Sequence, residues 1–176
     1  MSTRAHLVPM LVALAAAACA SSRQEARGSP LVGSAVDIAA PDLSGQEVRV
    51  APGEGKVRIV DFWATWCDPC RDQLPFLGRL AADHGPEGLS VYGVSFDEDR
   101  AELQRFLERT PVAFPILWDK GGAALADKLA VTRLPTTLVL DRRGVVREVH
   151  LGYDKSEERK IEATVRQLLA EPRQRP

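Results

Sequence analysis

The chain has 176 residues, a formal net charge of −1 and 45% hydrophobic residues. That balance suits one globular core, and no extended basic stripe gives a reason to expect nucleic acid as a partner. Only three cysteines occur, which excludes a disulfide-rich scaffold and makes the position of each informative.

Residues 1–18 read as a targeting signal. Arg4 supplies a positive start, residues 7–18 form an apolar run of signal-peptide length, too short for a membrane span, and small residues precede Cys19. The stretch Leu14-Ala15-Ala16-Ala17-Ala18-Cys19 resembles a bacterial lipoprotein box, with Ala16 where such boxes usually carry Leu. The resemblance implies a lipid on Cys19, hence a membrane anchor; ordinary cleavage, for example after Ala20, is the alternative. An unmodified Cys19 would be a lone thiol in an oxidising compartment. Ala20 lacks the Asp that retains some lipoproteins at the inner membrane, which favours the outer membrane. Residues 19–35, rich in Ser, Arg, Gly and Glu, are expected as a flexible tether. Residues 36–170 are expected as one domain and 171–176 as a disordered tail.

Within the domain, 47–50 alternates polar and apolar after a Ser44-Gly45 turn and predicts a strand or hairpin arm. Residues 57–63 predict a buried central strand, with one carboxylate deep inside it, Asp61. A helix is expected from 67 to about 82, with Leu74, Leu77 and Ala81 at helical spacing and Pro75 inside it. Residues 89–96 predict a second central strand, and 100–109 a helix burying Leu103, Phe106 and Leu107. A short strand at 114–118 and a short helix at 122–130, with Leu125 and Leu129 on one face, follow. Residues 138–140 and 145–151 flank Asp141-Arg142-Arg143-Gly144, a hairpin signature. The last helix opens at Asp154 with Glu157 three residues on, a capping arrangement, and buries Ile161, Val165, Leu168 and Leu169. The order implies an α/β fold with a mixed central sheet and helices on both faces.

The chemistry centres on Trp66-Cys67-Asp68-Pro69-Cys70, two cysteines one helical turn apart between a buried strand and a helix start. Unpaired N–H groups and the partial positive charge of that helix start stabilise a thiolate, lowering the Cys67 pKa below the roughly 8.5 of a free thiol. Cys67 is therefore the expected attacking sulfur. Cys70, on the same face and deeper, is the expected resolving thiol. Pro69 pre-sets a helical φ, while Asp68 opposes the thiolate charge and makes the couple more reducing. Half a zinc site and a purely structural disulfide are the competing readings. The first lacks partners, since outside residues 1–18 only Cys19 and the scattered His84 and His150 remain, and the second would constrain the unfolded chain little. No metal or other cofactor is expected beyond the Cys67/Cys70 couple, and Arg71 after Cys70 rules out a haem-attachment motif.

The run 60–70, ending in Trp66-Cys67-Asp68-Pro69-Cys70, followed by Leu134-Pro135-Thr136-Thr137 and a hairpin, resembles the thioredoxin superfamily. The exported signal and the extra strand and helix between 89 and 109 make it similar to the TlpA/ResA-type thioredoxins of bacterial envelopes. The resemblance implies a thioredoxin-like fold, with a strand and helix inserted between the dithiol helix and the cis-proline strand. It implies a cis peptide at Pro135, which only an X-Pro bond makes cheaply, at roughly 0.5–1 kcal/mol. It also implies a client contact at Leu134. Asp61 matches a buried aspartate that takes the proton of the resolving thiol, and Glu98, or else Asp97, matches an acid found after the second central strand. Asp61 is favoured, because a charge inside an apolar strand is costly unless used.

Trp66 is expected to shield the dithiol and offer clients an apolar platform, with Phe62, Trp63 and Trp118 in the core. His84 and His150 are expected at the surface or at strand ends, without chemistry. The functional expectation is a periplasmic thiol:disulfide oxidoreductase that reduces exported client proteins, possible cytochrome c apoproteins among them, and is reduced in turn by a membrane thiol donor. A thiol peroxidase on the same fold and a non-catalytic lipoprotein module with a structural disulfide are the alternatives.

Overall fold

The computed structural model describes residues 29–50 and 55–172. The expected signal, Cys19, the first part of the expected tether and residues 173–176 lie outside the described residues. Within the expected tether, Gly33 N donates to Val146 O at 2.8 Å and Ala35 bridges Val145, so the described chain is laid along a hairpin before residue 36.

Strand β1 (Ile38–Pro41) pairs antiparallel with β2 (Glu47–Val50), a two-stranded arm. The main sheet is built on β3 (Val57–Trp63), which is buried from end to end. A strand covered on both faces needs apolar side chains in both directions. Val57, Ile59 and Trp63 enter one core cluster, and Val60 and Phe62 the other. β3 runs parallel to β4 (Leu89–Ser95) and antiparallel to β6 (Thr136–Leu140). With β5 (Ile116–Trp118) and β7 (Val146–Leu151) the order is β5-β4-β3-β6-β7, the mixed sheet expected.

The face carrying Ile59 and Trp63 is covered by α1 (Asp68–His84), α2 (Arg100–Arg109) and α3 (Lys155–Ala170). Pro75 is accommodated inside a continuous α1. On α2 only Leu103 is fully buried, Phe106 and Leu107 lying partly exposed at its flank. The opposite face is covered by the β1–β2 arm and by residues 122–131. The helix expected at 122–130 is instead a 3₁₀ turn, Lys120–Gly122, followed by irregular turns. Gly121 and Gly122 have φ of 59° and 75°, so the backbone entering the segment is left-handed and α-helix does not start there. Leu125 and Leu129 are buried all the same, held by Asp119, whose carboxylate accepts from Ala124 N and Leu125 N at 3.0 and 2.9 Å.

Asp154 caps α3 as expected, accepting from Ser156 N and Glu157 N. Glu157 does not reach back to the cap; it pairs with Lys160 and with His150. His150 lies at the end of β7, one of the two placements expected, but not at the surface: it is only 4% exposed, with Nδ1 2.7 Å from Glu157 and Nε2 3.2 Å from Glu148. Trp118 also departs from expectation. It is half-buried, its Nε1 donating to Asp97 O at 2.7 Å, while Phe62 and Trp63 are core.

Candidate active site

Cys67 is the N-cap of α1, and Cys70 lies in its first turn. The two sulfurs are joined in a disulfide, with Cα atoms 5.2 Å apart. Cys67 is 6% exposed and Cys70 fully buried, so only Cys67 is placed to meet another molecule. The cap makes no side-chain hydrogen bond, which leaves the orphan N–H groups of the first turn facing the sulfur. Asp68 and Pro69 complete that turn. Arg71 pairs with Asp68 and donates to Thr65 O at 2.9 Å, so the Asp68 charge acts on Cys67 with a guanidinium beside it. That neighbour reduces the influence expected of Asp68.

Asp61 lies on β3 between Ile59 and Trp63, hence on the α1 side of the sheet. It is fully buried, and desolvation pushes its pKa from 3.8 up to about 7. Thr137 Oγ1 donates to Asp61 Oδ1 at 2.7 Å, a bond that pulls the other way and only partly offsets burial. Gln73 Nε2 reaches Oδ1 at 3.3 Å and Thr137 Oγ1 at 2.8 Å. Oδ2 has no hydrogen-bond partner among the described residues and is the oxygen left to carry a proton. Gln73 sits three residues after Cys70 on the helix, one turn along the same face. Neither Gln73 nor Thr137 stands out in the sequence as part of the site.

Cys67 opens into a groove of about 640 Å³ whose walls include Trp66, Phe96, Glu98, Val131, Arg133 and Leu134. Trp66 is 66% exposed, a large apolar surface turned to solvent beside the reactive sulfur. The Leu134–Pro135 peptide is cis, Pro135 is buried, and Gly152 N donates to Pro135 O at 2.8 Å. Leu134 and Cys67 thus line one groove. Glu98 is exposed on that groove, its carboxylate lying so close over Gly121 that a side chain there would collide with it.

Asp97, the second-choice acid, does something else. Its buried carboxylate accepts from Thr65 N at 3.1 Å, Thr65 Oγ1 at 2.6 Å and Ser95 Oγ at 2.7 Å, pinning the loop that carries Cys67 to the end of β4. Sequence reasoning missed this clamp; the Thr65-to-Asp97 contact spans 32 residues of chain, and no local pattern announces it.

A cysteine pair at a helix start on this fold, with one sulfur at a groove and the other buried one helical turn before Gln73, whose amide reaches a buried acid, defines a thioredoxin-like thiol:disulfide oxidoreductase. The chain belongs to the AhpC/TSA family, whose model matches residues 32–149. Among its relatives is a thiol-disulfide oxidoreductase ResA of Halalkalibacterium halodurans, 32% identical over 118 residues, which cover 67% of this chain and 66% of that protein. Another is the thioredoxin-like protein YneN of Bacillus subtilis, 33% identical over 121 residues, covering 67% and 69%. The chain thus spans about two thirds of the length of these relatives. A solved structure described as a putative thiol:disulfide interchange protein DsbE from Chlorobium tepidum aligns with a TM-score of 0.74 at 27% identity, covering 81% of this chain and 100% of that one. The resemblance to ResA-type thioredoxins is met in both sequence and fold.

Proposed function

We propose that the chain is an exported, lipid-anchored oxidoreductase that reduces disulfides of client proteins by a two-cysteine mechanism. The observation that carries this reading is the asymmetry of the pair, with Cys67 at the groove wall and Cys70 buried on the helix face that leads to Asp61. In the reduced protein the Cys67 thiolate attacks one sulfur of a client disulfide; a Cys67–client bond forms and the client's other sulfur leaves as a thiolate. Asp61 then takes the proton of Cys70, whose thiolate attacks Cys67 Sγ, re-forming the intramolecular disulfide and releasing the second client thiolate. Two electrons pass from the Cys67/Cys70 dithiol to the client. The cycle ends in the Cys67–Cys70 disulfide, which a membrane thiol donor must reduce again.

The periplasm and a lipid on Cys19, with the outer membrane as its seat, are supported by the sequence of residues 1–20. Cytochrome c apoproteins are the client class that the family resemblance suggests. Glu98, on the groove beside Cys67, is the second proton carrier in this reading, and Trp66 and Leu134 are the client contacts.

The reduced, purified protein should reduce insulin disulfides catalytically when supplied with dithiothreitol, and turn over hydrogen peroxide slowly. The reverse ratio would favour a thiol peroxidase. A Cys67/Cys70 midpoint far below about −300 mV would instead make the bond a structural staple.

A further inference from the structure

A second groove, of about 480 Å³, adjoins the redox loop and is lined by Thr65, Arg71, Glu102, Arg105, Phe106 and Arg109. Arg105 and Arg109 stand one turn apart on the exposed side of α2. Among the described residues neither has an ion pair or a hydrogen bond, although Glu102 precedes Arg105 at a spacing that would permit one. Elsewhere on the surface Arg49 pairs with Asp37, Arg147 with Glu171, Lys160 with Glu157 and Arg166 with Glu162. Arg71 closes the redox end of the groove, its guanidinium anchored on Thr65 O and Asp68. With Arg71 paired to Asp68, the two α2 guanidiniums remain without an ion pair among the described residues, beside the single carboxylate of Glu102, in a chain whose net charge is −1.

We propose that this groove docks an acidic segment of the client, holding Asp or Glu carboxylates that lie a few residues from the disulfide to be reduced. The proposal rests on the oxidoreductase reading above and adds the client's chemistry to it. Thr65 belongs to this groove, while Trp66 and Cys67 belong to the first, so the two meet at the redox loop. An extended client whose cystine sits at Cys67 crosses that loop and brings its flanking residues to α2. Guanidiniums match carboxylates with paired N–H donors, and the half-buried Phe106 ring gives the aliphatic part of an acidic side chain a surface to lie on. Unpaired exposed cations also steer an acidic partner towards the sulfur before contact.

The test uses the full chain and two cystine peptides of equal length, one flanked by Asp and Glu and one by Asn and Gln. Native protein should reduce the acidic peptide with a kcat/KM about ten-fold higher at low salt, the scale of two or three exposed ion contacts. Molar salt should erase that preference. The Arg105→Glu/Arg109→Glu double variant should lose it through KM, with kcat and the neutral peptide unaffected, and Arg105→Lys/Arg109→Lys should keep part of it. Equal kcat/KM for both peptides with native protein, or an equal loss on both in the charge-reversed variant, would overturn the docking role while leaving the oxidoreductase intact. Failure of native protein to reduce either peptide would overturn both.

Discussion

In the proposed cycle Asp61 is the residue on which proton traffic and stability meet. Its folded pKa, about 7, lies above its unfolded value of 3.8, so the folded state holds the proton more tightly. Its contribution to stability is therefore fully present below pH 3.8 and is lost as pH rises through about 7, where the folded protein must bury a charge. The difference of about three pKa units corresponds to a penalty of about 4 kcal/mol at pH 9. Asp61→Asn, which keeps the shape without the charge, should be more stable than native at pH 9 by up to about that amount and equal to it at pH 4, as urea midpoints would show. The same variant should release trapped client about 100-fold more slowly. In native protein that release should slow as pH falls below about 7, where Asp61 no longer accepts a proton, and the variant should lack the inflection. Asp61 was legible in the sequence because a lone carboxylate in an apolar strand is conspicuous. Gln73 and Thr137, which bind it from 12 and 76 residues away, were not, because ordinary polar residues acquire meaning only when folding brings them together.

At the scale of elements, the Asp97 clamp holds the β3–α1 loop against the end of β4. Asp97→Ala leaves three donors without their acceptor and should cost about 2–4 kcal/mol, while slowing attack by Cys67 even though Asp97 touches neither sulfur. Comparing urea midpoints with the rate of mixed-disulfide formation in the same variant checks both. Gly93 on β4 is a packing position of similar weight. A methyl there would come within 2.7 Å of Ile116 Cδ1 and 3.0 Å of Trp63 Nε1, so Gly93→Ala should destabilise by about 1–3 kcal/mol in urea unfolding. β3, β4 and the three α-helices were readable because continuous apolar runs and 3.6-residue spacing leave little ambiguity. β1 was not, being four residues ending in Pro41, and residues 122–130 carried a helical leucine spacing that two left-handed glycines overrule.

For the whole molecule, the sheet order brings three distant stretches to one edge: the Cys67 loop, Glu98 after β4 and Leu134 before β6. The motif announced the first, and the resemblance to a family supplied the other two. The basic groove beside them escaped the sequence reading, since Arg71 and the α2 arginines belong to separate helices and become neighbours only in the fold. In the proposed cycle Cys67 makes the covalent link to client and Cys70 undoes it. Cys70→Ser, expressed in the native host and isolated under non-reducing conditions, tests that claim directly. Client proteins should accumulate on the variant as adducts that dithiothreitol releases and that vanish when Cys67 is also replaced by Ser; an absence of adducts, or adducts that persist without Cys67, would contradict it.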